Sequence, residues 1–212
     1  MHIEPGHSAT KIEASAWLVR WKHLVRPGGT VLDVACGSGR HMHYMAQFGH
    51  AVTGIDRSQV ALAAASLWGR VVLSDIETEP WPLQDTALNE QPQVFDALVV
   101  TNYLWRPLFS TWVNSLAAGG VLIYETFATG QETVGKPSNP DFLLLPGELL
   151  RLCAGLKVVA FEDGFEDRFE DGSNRDIGSS APRFVQRIVA VRDAPKGQPR
   201  ARHALDRHGK SN

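Results

Sequence analysis

The strongest constraint on the fold is the alternation of short β-branched segments with helical patterns along most of the chain. Apolar, β-branched runs at 30–35, 51–56, 71–76, 94–100 and 121–127 predict five strands. The stretches between them have helical periodicity, and several end at a glycine, a residue common just after a helix. Strands that alternate with helices of this length form a parallel sheet with helices on both faces. The pattern therefore predicts a doubly wound α/β fold.

The C-terminal part departs from this alternation. After a predicted helix at 146–154, the segments 156–162 and 183–191 are both typical of strands, with no helical pattern between them. The acidic, glycine-containing connection favours a hairpin-like pair in which the last strand runs antiparallel to the others, and its acidic side chains predict a solvated face. The expected architecture is a mostly parallel seven-stranded sheet with an antiparallel last strand.

Length then sets the domain count. A chain of 212 residues is long enough for one well-buried domain, which we assign to residues 1–192 with an N-terminal helix at 10–25. The segment 128–150 is too long for a minimal connection, and we interpret it as a lid over a substrate or, alternatively, as a strut under the sheet edge. Residues 193–212 are basic and rich in proline and glycine, which predicts a flexible, solvated tail.

Composition argues against several classes of protein. The formal net charge of −2 provides no global positive field that would attract nucleic acid. Two cysteines, Cys36 and Cys153, are too few for a disulfide framework and indicate a reducing cytoplasm. The N-terminus lacks the apolar core of a secretory signal. The longest apolar runs are far short of the roughly 20 residues that span a bilayer, so no membrane segment is expected.

The stretch VLDVACGSGRHM, residues 31–42, contains Gly37 and Gly39 directly after the first predicted strand. In an open parallel sheet, ligands bind beyond the carboxyl ends of the strands, where this loop must lie. A dinucleotide-binding fingerprint would have a third glycine at Met42, where it lets the first helix approach the strand beneath a pyrophosphate. S-adenosylmethionine carries no phosphate and needs only a backbone that a ligand can approach closely, so two glycines are sufficient.

Acidic residues follow the next two predicted strands. Asp56 can accept hydrogen bonds from both ribose hydroxyls of a nucleoside, although Arg57 beside it is also compatible with the 2′-phosphate of NADP. Asp75 can meet the exocyclic amine of adenine while Ile76 covers the ring. Taken singly, each acid is also typical of a turn or a helix cap. Their occurrence at the ends of consecutive strands favours a nucleoside site.

These segments resemble the class I S-adenosylmethionine-dependent methyltransferases. DVACGSGRH at 33–41 is similar to the first motif of that family, GIDRS at 54–58 to its acidic second motif, and SDIE at 74–77 to its third. The closing antiparallel strand also resembles the family, whose seventh strand inserts beside the sixth. Within the class, the glycine loop and the N-terminal helix with its two tryptophans are similar to small methyltransferases grouped with tellurite-resistance and thiol-methylating proteins.

The resemblance implies S-adenosylmethionine as the cofactor and assigns roles to residues of this chain. Asp33 and the backbone of the glycine loop would hold the amino acid part, Asp56 the ribose, and Asp75 with Ile76 the adenine. After the fourth strand the chain reads TNYLWRP, not the NPPY of enzymes that methylate exocyclic amines of DNA bases, which argues against that activity. The full set expected to bind the cofactor is Trp17, Asp33, Ala35, Cys36, Gly37, Gly39, Asp56, Arg57, Asp75, Ile76, Thr101 and Asn102.

Candidates for the acceptor side come mainly from the ends of the fourth and fifth predicted strands and from the segment 128–150. The candidate catalytic residues are His41, Tyr103 and Arg106, although His41 is also typical of a structural histidine that bonds the backbone. No metal site is expected, because the histidines near the glycine loop lack the spacing and the partners of a zinc site. The residues expected to contact the substrate are Tyr103, Trp105, Arg106, Glu125, Phe127, Lys136 and Asn139.

The sequence therefore predicts methyl transfer from S-adenosylmethionine to a small-molecule acceptor. A single domain leaves little surface for a folded RNA or protein, and a thiol or another soft nucleophile needs no dedicated base. RNA methylation is the second hypothesis, with the basic tail as its contact. An NAD(P)-dependent oxidoreductase and a non-catalytic cofactor-binding protein are further alternatives. The sequence does not indicate an oligomeric state.

Overall fold

A computed structural model describes residues 13–85, 91–167, 181–193 and 204–205. The strands among these residues are β1 Thr30–Val34, β2 Ala51–Asp56, β3 Arg70–Leu73, β4 Gln84–Asp85, β5 Gln91–Pro92, β6 Phe95–Thr101, β7 Leu116–Phe127, β8 Lys157–Glu166 and β9 Arg183–Val191. Seven of them form one sheet in the order β3-β2-β1-β6-β7-β9-β8, and β4 pairs with β5 in a separate ribbon.

Most of the main sheet is parallel. The pairs β1–β2, β1–β6, β2–β3 and β6–β7 are parallel, whereas β9 pairs antiparallel with both β7 and β8. The last strand in the chain therefore lies between the two strands that precede it. The predicted α/β class, with a mostly parallel seven-stranded sheet and an antiparallel last strand, is confirmed. The short ribbon of β4 and β5 was not predicted.

The α-helices are shorter than the sequence pattern predicts. At the N-terminus the cause is local, because the hydroxyl of Ser15 caps the first helix by accepting the N–H of Trp17 at 3.1 Å. A 3₁₀ turn at Lys22–Leu24 follows that helix, and residues 10–12 of the predicted N-terminal helix lie outside the described residues. The helices are α1 Ala16–Trp21, α2 Arg40–Ala46, α3 Gln59–Ala65, α4 Phe109–Asn114 and α5 Glu148–Leu152.

Strand β7 begins earlier than predicted. The sequence pattern predicts a helix from Pro107 to the glycine pair at 119–120, but α4 ends at Asn114 and the extended chain begins at Leu116. The guanidinium of Arg192 donates to three carbonyl oxygens at the end of α4 and the start of β7, at 2.8 to 3.4 Å. Those carbonyls would otherwise need partners at a helix end. A contact from the far end of the chain thus stabilises the early end of α4.

The packing of α2 explains why the glycine loop has no third glycine. Met42 is fully buried, and a Cβ atom built on Gly54 in β2 would lie 2.4 Å from Met42 Sδ and 2.7 Å from Cys36 Sγ. The small residue that lets this helix approach the sheet therefore lies in the strand and not in the helix. Gly54 has no positive φ, so the requirement for glycine is one of space and not of backbone conformation.

This packing makes a testable prediction. Gly54→Ala forces a methyl group into filled space, so we expect it to lower the free energy of unfolding by about 1 to 3 kcal/mol and the melting temperature by about 2 to 4 °C per kcal/mol. Thermal unfolding measures the effect. Gly164→Ala is the matched control, because Gly164 also lies in a strand but a Cβ there meets nothing within 4 Å. Equal melting temperatures for the two variants would contradict this account.

Candidate cofactor and acceptor site

A cavity of about 430 Å³ lies at the carboxyl ends of the parallel strands, where an open α/β sheet binds its ligands. Eight of the predicted site residues line it: Ala35, Asp56, Arg57, Asp75, Ile76 and Asn102 from the cofactor set, and Tyr103 and Phe127 from the acceptor set. The structure thus brings together the residues that end β1, β2, β6 and β7 and those that follow β3.

Asp56 links the glycine loop to helix α3. Its Oδ2 accepts the backbone N–H of Gly37 at 2.8 Å, and its Oδ1 accepts the N–H of Ser58 at 2.8 Å. The hydroxyl of Ser58 in turn caps α3 by accepting the N–H of Ala61 at 3.2 Å. A carboxylate has about four acceptor sites. The remaining sites of Asp56 are therefore available to ligand hydroxyls in the cavity.

The two glycines of the loop serve different purposes. Both have positive φ, +54° at Gly37 and +83° at Gly39, which favours glycine. A Cβ at Gly39 would lie 2.8 Å from Ala65 Cα, so this glycine lets the loop pack against α3. A Cβ at Gly37 would meet nothing within 4 Å. That open space allows a ligand to approach the backbone closely.

Asp33, in β1, is the most informative buried charge near the loop. The residue is only 1% exposed. Its Oδ1 lies 3.7 Å from Nδ1 of His41, and its Oδ2 has no hydrogen-bond partner among the described residues. A buried carboxylate oxygen without a partner is costly. The arrangement fits a positively charged ligand group, such as the ammonium of an amino acid.

His41 is a structural contact in this arrangement. Its Nε2 accepts the backbone N–H of Ser15 at 3.3 Å, and its Nδ1 lies 3.3 Å from Oγ1 of Thr101. Both ring nitrogens are therefore engaged, and the side chain is buried outside the cavity lining. His41 joins the N-terminal segment to the strand ends. The structure does not bring it to the place where a catalytic base would act.

Two non-glycine residues in the cavity wall have left-handed backbone conformations. Ala35 follows β1 and Asn102 follows β6, and each has φ of +54°. Asparagine tolerates this region, but for alanine the conformation costs roughly 1 to 2 kcal/mol. Such conformations cluster at functional sites. Here they turn the chain at two neighbouring strand ends so that both residues line the cavity.

The part of the cavity wall that follows β3 is a turn, and the carboxylates of Glu79 and Asp75 within this turn hold it in place by hydrogen bonds. Oε2 of Glu79 accepts the hydroxyl of Ser74 at 2.8 Å and the N–H of Asp75 at 3.2 Å, and Oδ1 of Asp75 accepts the N–H of Glu77 at 3.2 Å. Burial is the main cause that raises the pKa of the Tyr103 hydroxyl, and the neighbouring Glu77 carboxylate raises it further. Tyr103 therefore remains protonated at neutral pH. Its hydroxyl is buried and has no hydrogen-bond partner among the described residues.

Several predicted site residues have other contacts. Trp17 is buried and donates from Nε1 to the carbonyl of Ile188 at 3.2 Å. Glu125 is buried in an ion-pair network with Arg187 and also accepts the hydroxyl of Ser15. The predicted residues outside the cavity lining are Trp17, Asp33, Cys36, Gly37, Gly39, His41, Thr101, Trp105, Arg106, Glu125, Lys136 and Asn139. Of these, Asp33, Gly37 and Gly39 still adjoin the cavity through β1 and the glycine loop.

Seven lining residues lie outside the site residues named from the sequence: Ile55, Ser74, Glu77, Leu104, Thr126, Pro137 and Phe142. The sequence nevertheless indicates Thr126, at the end of the fifth predicted strand, and Phe142, as apolar cover in the segment 128–150. Most of the seven are sequence neighbours of predicted ones, so listing every residue at each strand end would have found them. Pro137 and Phe142 belong to the segment 128–150, which the sequence predicts as a lid. The structure describes this segment as a wall that is hydrogen-bonded to β7 and β9.

The fold and this site together define a class of protein. A mostly parallel sheet with an inserted antiparallel last strand, a glycine loop after β1 and acids at the end of β2 and after β3 are features of the class I S-adenosylmethionine-dependent methyltransferases, and all of them are present here. More specifically, the model of a family described as "Methyltransferase domain" matches residues 31–120. The predicted class and the prediction of S-adenosylmethionine as cofactor are confirmed.

Comparison with individual proteins gives relatives by sequence and relatives by structure. A tRNA U34 carboxymethyltransferase of Klebsiella pneumoniae is 32% identical over 150 residues, 66% of this chain and 44% of that protein. The chain thus spans less than half the length of the curated relatives it matches. TehB from Haemophilus influenzae has a TM-score of 0.64 at 19% identity, covering 85% of this chain and 63% of TehB. An S-adenosylmethionine-dependent methyltransferase from Mesorhizobium loti has a TM-score of 0.62 at 17% identity, covering 84% of this chain and 99% of that one. Both structural likenesses concern the fold.

None of the helices that the structure describes has the length and the apolar character of a membrane span. Within the described residues, no group of three or more histidine, cysteine, aspartate or glutamate side chains is arranged to hold a metal ion.

Proposed function

We propose that this chain transfers a methyl group from S-adenosylmethionine to a small, largely apolar acceptor. The observation that carries the proposal is the division of the cavity wall into two sides. By strand order, the acids and Ser74 line the side formed at the ends of β2 and β3, together with Ile55 and Ile76, whereas Phe127, Pro137 and Phe142, with Thr126, line the side formed at the end of β7. The first side suits a nucleoside and the second suits an apolar acceptor.

In this reaction the residues of the chain bind and align the two reactants. S-adenosylmethionine, when bound, supplies a methyl carbon already activated by a sulfonium leaving group. Asp33 and the Gly37 backbone would hold its amino acid part, Asp56 its ribose, and Asp75 with Ile76 its adenine. The protein then aligns the acceptor and excludes water, which contributes about 7 to 11 kcal/mol of barrier lowering.

The lining residues favour an acceptor that is nucleophilic without help. Among the described lining residues there is no histidine, lysine or cysteine, and the three carboxylates, Asp56, Asp75 and Glu77, come from the strand ends that would hold the cofactor. Tyr103 is kept protonated by its raised pKa. An alcohol or a ring nitrogen more often requires a general base. We therefore place thiols and similarly soft nucleophiles first among the acceptors.

RNA methylation is the second candidate, because the relative from Klebsiella pneumoniae is named a tRNA U34 carboxymethyltransferase. Arg57 is the one cation among the described lining residues, and it follows Asp56 on the nucleoside side. A donor bearing a carboxymethyl group would need a cation near the transferred carboxylate. This distribution of charge supports methyl over carboxymethyl as the transferred group. The net charge of −2 supports a small acceptor over RNA.

The test is a transfer screen with methyl-labelled S-adenosylmethionine against thiols, chalcogen oxyanions, small amines, phenols and unmodified tRNA. We expect label in a thiol or another soft acceptor, and undiminished transfer in a variant that ends at Asp193 and so lacks the basic tail. Label that enters tRNA alone, and disappears with the tail, would replace this proposal with RNA methylation.

A further inference from the structure

The acceptor-side wall of the cavity includes a segment that contacts with other parts of the chain hold in position. Pro137 and Phe142 belong to the connection between β7 and α5, residues 128–147. Its two ends are tied to the sheet. At the first end the N–H of Ala128 donates to the carbonyl of Phe184 at 3.0 Å. At the other end the N–H of Leu144 donates to the carbonyl of Phe127 at 3.0 Å, and Nε2 of Gln186 donates to the carbonyl of Leu145 at 2.6 Å. The connection is therefore held as a fixed wall near residue 144.

Phe142 itself is not fixed by burial. The residue is 45% exposed, so few side-chain contacts restrain it, and its place in the wall depends on the path of its backbone. That path follows a single 3₁₀ turn, Pro140–Phe142, which the side chain of Asn139 caps by accepting the N–H of Asp141 at 3.0 Å. One short turn on the surface needs a further anchor to hold an aromatic ring in place.

Arg106 supplies that anchor. It donates from Nη1 to the carbonyl of Asp141 at 2.7 Å and from Nη2 to the carbonyl of Leu143 at 2.9 Å, so it binds the residues on both sides of Phe142. The same guanidinium binds both carboxylate oxygens of Glu148 at 2.6 and 3.0 Å. A planar fork of five N–H donors can satisfy four such acceptors at once, which a lysine cannot.

Glu148, the carboxylate that binds Arg106, is itself held by the backbone of the same segment. Oε2 of Glu148 also accepts the N–H of Leu145 at 2.8 Å. Burial alone would raise the pKa of Glu148, but the hydrogen bonds from Arg106 and from the Leu145 backbone outweigh it and lower the pKa. The carboxylate is therefore ionised at neutral pH. The donors of Arg106 are directed to this segment, and the side chain does not line the cavity.

We propose that Arg106 is a positioning residue that holds Phe142 in the acceptor-side wall and thereby limits the size of the group accepted next to the transferred methyl. This inference rests on the proposed function, because it assigns the Phe142 side of the cavity to the acceptor. It gives Arg106 a role distinct from the catalytic and substrate-binding roles that the sequence suggested. The residue acts through the backbone of the wall and not on the reacting atoms.

The test needs no knowledge of the natural acceptor. Calorimetry compares the Kd of S-adenosylmethionine with that of an analogue that carries a benzyl group on sulfur in place of the methyl, because that group extends toward the acceptor. The variants are Arg106→Met, Phe142→Ala and their combination. Arg192→Met is the matched control, since Arg192 also binds main-chain carbonyls but at the start of β7, far from the cavity. Amide hydrogen exchange of residues 141–149 reports on the wall directly.

For the wild-type chain we expect the benzyl analogue to bind more weakly than S-adenosylmethionine. Arg106→Met and Phe142→Ala should each reduce this discrimination about tenfold, a change typical of altered pocket size, while the Kd of S-adenosylmethionine changes less than about twofold. The double variant should go no further than either single one, and exchange at 141–149 should rise in Arg106→Met only. Arg192→Met should leave the discrimination unchanged.

Unchanged discrimination in Arg106→Met, or an equal loss in Arg192→Met, would overturn the positioning role while leaving the cofactor site intact. If Arg106→Met fails to fold, Phe142→Ala decides whether this wall limits size, and unchanged discrimination there refutes the inference. If the wild-type chain binds neither ligand, the proposed function fails and the positioning role fails with it.

Discussion

Replacing Asp56 by Ala should weaken the binding of S-adenosylhomocysteine about 10- to 100-fold. We expect no larger effect on ligand binding from a single substitution. A hydrogen bond to a charged group contributes roughly 1.5 to 3 kcal/mol. Asp56 would contribute such bonds to the ribose, and it also holds the N–H of Gly37 in place. The variant therefore loses a ligand contact and the preorganised loop together.

Calorimetry measures this effect, and two further variants interpret it. Asp56→Asn keeps an oxygen that can accept the N–H of Gly37 but loses the charge, so its affinity should fall between those of the wild type and Asp56→Ala. Asp96→Ala is the control, because Asp96 also accepts a backbone N–H, that of Thr30 at 2.7 Å, but lies at the opposite end of the sheet. This variant should leave the affinity within about twofold of the wild type. Unaltered affinity in Asp56→Ala would mean that Asp56 is only a turn residue.

Arg187→Met should lower the free energy of unfolding toward the lower end of the roughly 3 to 5 kcal/mol that breaking a buried ion pair usually costs, because Glu125 keeps a second cation, Arg183, at 3.5 Å. Arg187 is only 9% exposed, and it pairs with Glu125, which is 2% exposed, and with Glu162 and Glu166. For a domain of this size the melting temperature should fall by roughly 6 to 20 °C. The solvated acidic face predicted for the hairpin is thus, at Glu162 and Glu166, part of a partly buried network.

The control replaces both partners. In the double variant Arg187→Met with Glu125→Met, no carboxylate is left at the most buried position, so much of the lost stability should return. A double variant that melts below Arg187→Met would contradict the view that the weakened pairing of the Glu125 carboxylate causes the loss.

The same network gives the stability a pH dependence. Burial alone would raise the pKa of Glu166, but hydrogen bonds from Arg187 and Arg183 outweigh it and hold the pKa below its ordinary value of 4.5. Because the folded-state pKa is the lower one, this contribution to stability is present above about pH 4.5 and is lost as the pH falls toward the folded-state pKa. Arg187→Met should flatten that part of the curve in denaturant unfolding measured between neutral and acid pH.

Local patterns predicted the sheet because every strand of the main sheet carries its own signal of apolar, β-branched residues. They predicted the wrong end for the helix before β7, because three carbonyls there bind Arg192, about 80 residues away in the chain. Ser15 shortened the first helix for a reason that is visible in the sequence, since serine is a preferred N-cap.

The cofactor side of the site was predictable for a similar reason. Asp56 and Asp75 follow strands directly, so the topology alone brings them to one edge of the sheet. On the acceptor side the sequence indicated Phe127 and the apolar cover at Phe142, but not the contacts of Arg106 with the residues on both sides of Phe142, which no local pattern encodes. Of the neighbours Glu125 and Thr126, which point to opposite faces of the sheet, only Thr126 lines the cavity.

The central claim is that the cavity at the strand ends binds S-adenosylmethionine. The most direct test is calorimetric titration of the wild-type chain with S-adenosylhomocysteine and, separately, with NADPH. The account predicts saturable binding of one S-adenosylhomocysteine per chain and no heat of binding with NADPH. Saturable binding of NADPH without binding of S-adenosylhomocysteine would contradict it and would restore the dinucleotide interpretation of the glycine loop.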